Sequence, residues 1–314
     1  MSETQYKKPQ LLSYEPQSKP FGGGAESDVY ETVPALSQDA SFQDKFRHYL
    51  ETKGLLKPEE KPDFLVKVAK HSGFFDPFLK GDISPEISSQ YEEMYDQDTA
   101  TMQRIFGDAY VPATYLSWHH FKDGKARIIQ KQIKGDSLAN LETNRSYEER
   151  LQKDPEFRSQ IEKLVTNAFE TFAETGFFPD LSFANLIQEE GTGKIYFIDT
   201  FAPSLYREVF HKGNPIQKYT LASHIQGFYE RGLIGNFLPH IDTYKAPEML
   251  LPNLFRSAGK SQDFAWNLST RVNDKLAEYE HYYKTHTHLK DSSQKASEMM
   301  NDPKAVTQKY EPSV

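Results

Sequence analysis

Cysteine is absent from the 314 residues, so no disulfide holds this fold together. There is no N-terminal apolar run of the signal-peptide kind and no stretch of eighteen apolar residues, which excludes a membrane-spanning helix. A cytoplasmic protein is expected from these absences. Positive charge is in deficit: Lys and Arg total 37 against 45 Asp and Glu, a net charge of −8. A general nucleic-acid binder needs an excess of Lys and Arg on one face, so no nucleic-acid partner is expected. The 10 histidines show no persuasive ligand pattern. His119 and His120 are adjacent and would point to opposite faces of a strand. His281, His286 and His288 lack an accompanying Cys or carboxylate framework. Structural or solvent-exposed roles are expected for both groups, and no internal repeat is visible.

What the chain does contain is a spaced set of metal-competent polar residues between apolar runs. In Phe178-Pro-Asp-Leu-Ser-Phe-Ala-Asn185-Leu-Ile, Asp180 and Asn185 sit five apart, on a loop leaving a helix that ends at Gly176. Fourteen residues after Asn185 comes Asp199, behind the apolar run Ile195-Tyr-Phe-Ile198, which reads as a short buried strand. A short hairpin would bring the three together. Mg²⁺ is usually held by one or two carboxylates plus phosphate oxygens and water, and phosphoryl transfer needs a positioned acceptor more than covalent chemistry. The set therefore reads as a phosphoryl-transfer site. Taken locally, the same spacing also fits a turn in which Asp and Asn bond to the backbone.

The stretch resembles the catalytic loop and metal-binding motif of the protein-kinase-like superfamily, where D-x-x-x-x-N precedes a second strand ending in a metal-binding Asp. The resemblance implies that Asp180 orients and deprotonates an acceptor hydroxyl, while Asn185 and Asp199 hold Mg²⁺ against the phosphates of ATP. Further parts follow in the family's order. Gly22-Gly23-Gly24-Ala-Glu-Ser27-Asp-Val29 resembles G-x-G-x-x-G-x-V, with Ser27 in place of the third glycine. Such a loop lets backbone N–H groups approach phosphates and sets a β-branched residue over the base, although Gly-rich runs also serve as turns and linkers.

Phe64-Leu-Val-Lys67-Val-Ala-Lys70 reads as a strand with a lysine inside it and resembles the V-A-I-K strand. A mid-strand charge is costly unless paired, so Lys67 is expected on the α- and β-phosphates, with Lys70 second; an edge strand with Lys67 turned outward is the alternative. Residues 85–106 read as a helix, with Ile87, Tyr91, Tyr95, Met102, Ile105 and Phe106 on one stripe. Asp98 falls on that stripe and is the expected partner of Lys67. The family normally has Glu there, and Glu92 and Glu93 lie nearby but off the stripe. Residues 111–118 and 126–138 read as two strands and an exit turn, which resemble the hinge between kinase lobes. By that resemblance Gln130 lies behind the adenine pocket and the backbone from Lys131 to Ile133 meets the base edge. The closing Gly135-x-x-Leu138 resembles a turn typical of kinase-like chains, especially the small-molecule branch that includes aminoglycoside and choline kinases.

The expected architecture is α+β: a two-lobed protein-kinase-like fold with a small antiparallel-sheet N-lobe and a mainly helical C-lobe. Residues 1–12 are expected to be flexible, 13–134 to form the N-lobe with an insertion at about 31–62, 135–285 the helical C-lobe, and 286–314 a flexible tail. Within the insertion, 41–53 reads as helical. Residues 155–175 form the best helix, with an apolar face running from Phe157 to Phe172 and Gly176 ending it; 219–231 and 261–283 are further helices. The chain departs from the family in places. Phe178 stands where His is usual, and Pro179 where many regulated protein kinases have Arg. Thr200-Phe201 follows Asp199 in place of Phe-Gly, and Ala246-Pro-Glu248 comes unusually far downstream. These departures point toward atypical or small-molecule kinases. The implied function is an ATP- and Mg²⁺-dependent phosphotransferase with an unknown acceptor, a protein Ser/Thr or a small-molecule hydroxyl. A pseudokinase-like nucleotide-binding regulatory protein is the alternative, and nucleotide transfer is a third reading.

Overall fold

The computed structural model describes residues 22–23, 27–31, 47–48, 50–52, 56–59, 64–69, 85–111, 113–117, 127–140, 144–199, 203–239 and 247–301. Gly24, Lys70, His119, His120, Thr200, Phe201, Ala246, the first twelve residues and most of the 31–62 insertion lie outside them. The chain divides into two compact units: Met1–Thr99 with Val111–Ile133, and Ala100–Tyr110 with Lys134–Val314. Helix α1, Pro85–Phe106, is shared by both.

The first unit is built on a five-stranded antiparallel sheet. Its strands are β1 (Gly22–Gly23), β2 (Ser27–Glu31), β3 (Phe64–Ala69), β4 (Ala113–Ser117) and β5 (Arg127–Lys131), in the order β1-β2-β3-β5-β4. Residues opposite one another in an antiparallel pair share a face, and neighbours along a strand alternate. The register therefore separates two rows. Val66 and Ile129 lie in one, and both are fully buried. Gly22, Val29, Lys67 and Ile128 form the other. Part of the insertion packs too: Arg47, His48, Leu50, Glu51 and Thr52 are helical, Leu50 is buried, and Arg47 pairs with Glu51 at 2.8 Å.

The second unit is mainly helical around one aromatic-rich core. Its small sheet is antiparallel, in the order β6 (Gly135–Ser137), β7 (Leu186–Glu189), β8 (Ile195–Phe197). After α2 (Tyr147–Lys153) comes α3 (Pro155–Thr175), whose ends are set by local chemistry. The Asp154 carboxylate accepts from the N–H groups of Glu156 and Phe157, both at 3.0 Å, and Pro155 fills the first turn. At the other end Gly176 adopts φ 81°, the left-handed conformation that favours glycine, and its N–H closes on the Phe172 carbonyl at 2.8 Å. Phe157, Ile161, Leu164, Val165, Ala168, Phe169 and Phe172 are all buried, each large side chain contributing about 1.5–3 kcal/mol by leaving water. The remaining helices are α4 (Pro203–Lys212), α5 (Pro215–Gly227), α6 (Pro247–Ser257), α7 (Gln262–Thr285) and α8 (Lys290–Asn301). Helix α7 packs against α3, α5 and α6.

The α+β architecture is as the sequence leads one to expect, with two differences in the helical unit. Helix α5 begins at Pro215, earlier than 219, because Asn214 and Gln217 close a reciprocal capping box; at Phe228 it passes into a nine-residue π-helix, Phe228–Asn236. The chain past residue 285, expected to be flexible, is helical through α8 and packs on α5, where the hydroxyls of Ser293 and Thr220 meet at 2.8 Å. The polar composition of α8 reads as a solvated segment, whereas the docking is made through a small buried serine. Among the described residues no helix is long and apolar enough to cross a membrane.

Candidate functional site

Strands β7 and β8 form a hairpin, with Leu186 opposite Phe197 and Gln188 opposite Ile195. Its turn uses Gly191 and Gly193 at φ 82° and 69°, values that favour glycine. Just before β7, Asn185 closes a single 3₁₀ turn, Phe183–Asn185; just after β8 comes Asp199. The Ile198 N–H donates to the Asn185 carbonyl at 2.9 Å, so the hairpin fixes Asp199 beside Asn185. The Asn185 amide N–H in turn donates to the Asp180 carbonyl at 2.8 Å and to its carboxylate Oδ2 at 3.2 Å. The three residues singled out by spacing are thus linked through Asn185.

That orientation of Asn185 matters chemically. Its amide nitrogen is spent on Asp180, which leaves the amide oxygen directed away and available. An amide oxygen and a carboxylate, those of Asn185 and Asp199, are hard-oxygen donors of the kind Mg²⁺ accepts, so the chemistry of the two residues fits that ion. Among the described residues no cluster of three or more His, Cys, Asp or Glu side chains forms a metal site, His281, His286 and His288 included. Asp180 is exposed as a residue, yet its carboxyl is partly desolvated by the protein beneath it. That desolvation raises its pKa above the ordinary carboxylate value, and the hydrogen bond from Asn185 pulls it the other way.

The loop is held from below by aromatic packing. Phe178 is buried, stacks on Phe172 at 4.0 Å and 5°, and meets Phe169 edge-on at 5.5 Å. Phe178 is thus a hydrophobic anchor, two residues from Asp180. Phe178→Ala is expected to cost about 3–5 kcal/mol, measured as a fall in the denaturation midpoint.

Spacing alone did not single out Ser137. Its hydroxyl donates to the Phe183 carbonyl at 3.0 Å and reaches the Ala184 carbonyl at 3.4 Å, tethering the loop between Asp180 and Asn185. The Gly135-x-x-Leu138 turn that contains it offered the signal. That turn is explained by packing: Leu138 is buried, and a Cβ on Gly135 would lie 1.9 Å from the Gln188 carbonyl oxygen. Gly135→Ala is therefore expected to destabilise the protein by about 1–3 kcal/mol or more, readable in a thermal melt.

In the first unit, Lys67 lies on β3, the middle strand of five, so the edge-strand alternative is excluded. It is half-buried and shares its row with Gly22, Val29 and Ile128; Gly23 pairs with Asp28, and Ser27 opens β2. Of the helix acids, Asp98 is 3% exposed. Glu93 is exposed and accepts from Gln97 at 3.3 Å, and the side chain of Glu92 lies outside the described residues. Gln130 is buried and donates to the Val111 carbonyl at 3.4 Å. Lys131 and Ile133, at and just beyond the end of β5, are half-buried.

No protein-family model matches the sequence, and no curated protein matches it. Among solved structures the chain is similar to the Mycobacterium tuberculosis PknI kinase domain at 12% identity and a TM-score of 0.37, covering 82% of this chain and 94% of that one. It is also similar to a structure described as PpkA-294 in its apo form, at 12% identity and a TM-score of 0.34, over 86% of this chain and 99% of that one. So distant a likeness assigns no activity.

Proposed function

We propose that this chain is an ATP- and Mg²⁺-dependent phosphotransferase of the protein-kinase-like kind, acting on an acceptor hydroxyl. The observation that carries the reading is the convergence of Asp180 and Asp199 on Asn185, whose side-chain amide bonds Asp180 and whose backbone carbonyl accepts from Ile198, the neighbour of Asp199. Asn185 and Asp199 would hold Mg²⁺, which neutralises phosphate charge when bound. Asp180 would orient the acceptor and take its proton. The acceptor oxygen forms a bond to the γ-phosphorus, the bond from that phosphorus to the bridging oxygen breaks, and ADP leaves with the electron pair. The raised pKa of Asp180 makes it a better base than an ordinary carboxylate.

Lys67 is assigned to the α- and β-phosphates, with Asp98 as its orienting acid. Gly22, Gly23, Gly24, Ser27 and Val29 would cover the nucleotide, while Lys131 and Ile133 offer backbone groups to the base. The cytoplasm, where ATP is supplied, is the compartment this chemistry fits. The small-molecule-kinase branch gains nothing from Gly135 and Leu138, since packing accounts for both. Mg²⁺-dependent conversion of ATP to ADP by the purified chain tests the reading. Nucleotide binding without turnover would support the regulatory alternative, and AMP release would support nucleotide transfer.

A further inference from the structure

The last carbonyls of a helix have no intrahelical partner and must find one elsewhere. At the end of α3, two of them find it on α7. An Arg271 guanidinium N–H donates to the Ala173 carbonyl at 3.2 Å, and the Tyr279 hydroxyl donates to the Gly176 carbonyl at 2.5 Å, across 98 and 103 residues of sequence. The two contacts differ in what they hold. Ala173 lies inside α3, whereas Gly176 lies just past its end, four residues before Asp180. Gly176 is also the point where the backbone turns left-handed, at φ 81°, so the setting of its peptide directs how the loop to Asp180 leaves the helix.

Tyr279 is itself firmly held. It is 4% exposed, and its ring packs on Phe210 at 4.5 Å and on Phe172 at 6.0 Å. Phe172 in turn carries Phe178, stacked at 4.0 Å on the other side of Gly176 in sequence. Burial raises the pKa of the phenol, which therefore stays protonated and keeps its donor. A buried tyrosine hydroxyl needs a partner, and the partner here is the root of the loop that bears the proposed base.

We infer that Tyr279 is a positioning residue for phosphoryl transfer: its hydroxyl fixes the Gly176 peptide and, through the four residues that follow, the placing of Asp180. The inference rests on the phosphotransferase reading and deepens it, since it assigns part of the site's rigidity to a helix distant in sequence. Arg271 serves as the contrast, because its contact caps α3 without touching the loop.

Tyr279→Phe keeps the ring and removes only the oxygen, and the test uses the full chain with ATP and Mg²⁺. The variant should lower kcat for ADP formation by about tenfold or more, the scale on which a misplaced reacting group costs rate, with KM for ATP changed by less than about twofold. In an Asp180→Asn background the same substitution should cost nothing further, because residues that act as a unit are not additive. Arg271→Gln should lower the melting midpoint and leave kcat unchanged. Hydrogen exchange adds a readout that needs no turnover: Tyr279→Phe should speed exchange of the backbone amides from Phe177 to Asn185 while those in the middle of α3 keep their protection. An equal loss of kcat in Arg271→Gln, or the full Tyr279→Phe loss repeated in the Asp180→Asn background, overturns the inference. Unchanged loop exchange in a chain that forms ADP overturns it alone and leaves the phosphotransferase reading intact. A wild type that forms no ADP removes both.

Discussion

Asp180→Asn is expected to lower the rate of phosphoryl transfer by about 10²–10⁴-fold, the usual contribution of a positioned general base, while Mg²⁺-dependent ATP binding persists. The substitution is close to isosteric, and an amide oxygen can still accept the Asn185 hydrogen bond that holds the loop. What it removes is the proton acceptor. Asp180 must be ionised to act, and desolvation raises its pKa, so the acid limb of the wild-type rate profile should fall at a higher pH than a solvated carboxylate would give. The variant's residual rate should lack that limb. The effect on stability has the opposite sign. A carboxyl whose pKa is higher folded than unfolded favours the folded state when protonated and loses that contribution as pH rises from the unfolded toward the folded pKa. At neutral pH Asp180→Asn should therefore melt no lower than wild type, a trade of stability for activity. Unchanged transfer in this variant would remove Asp180 from the site.

Asp199→Ala is expected to act on a different quantity. The hairpin pins Asp199 beside Asn185 through the Ile198 N–H, and in the proposed arrangement its carboxylate is the only charged ligand that the protein gives the metal. Losing it should weaken Mg²⁺-dependent ATP binding by more than the roughly 10–100-fold attributed to outer-shell partners of a metal site. Binding in the absence of Mg²⁺ should change little. Calorimetric titrations of wild type and variant, each with and without Mg²⁺, separate the two cases; equal Mg²⁺ dependence in both proteins would show that Asp199 is not a metal ligand.

Residues that carry strong local rules were legible before the structure. Helix α3 was legible from its apolar stripe and terminal glycine, and the Asp154 cap and Pro155 found in the structure fix its start. The β7–β8 hairpin was legible from the apolar run at 195–198 and the spacing of the polar residues around it, whereas the glycines of its turn emerged with the structure. What escaped reading were contacts between segments distant in sequence. Ser137 reaches a loop 46 residues away, and the Gly135-x-x-Leu138 turn marks its neighbourhood without showing that partner. The docking of Ser293 onto Thr220 is invisible to composition because two small polar residues make it. The π-helical continuation of α5 carries no propensity signal. In the candidate site, the spacing of Asp180, Asn185 and Asp199 was readable, but the orientation of the Asn185 amide, on which the metal assignment depends, is a matter of hydrogen bonding that only the folded loop decides.

The most direct test of phosphotransferase chemistry is the identity of the product when the purified chain is incubated with ATP and Mg²⁺. ADP that forms only with Mg²⁺, and that falls by at least about 10²-fold in Asp180→Asn, is the predicted result. ADP formed at the same rate by the variant, or AMP in its place, would contradict it.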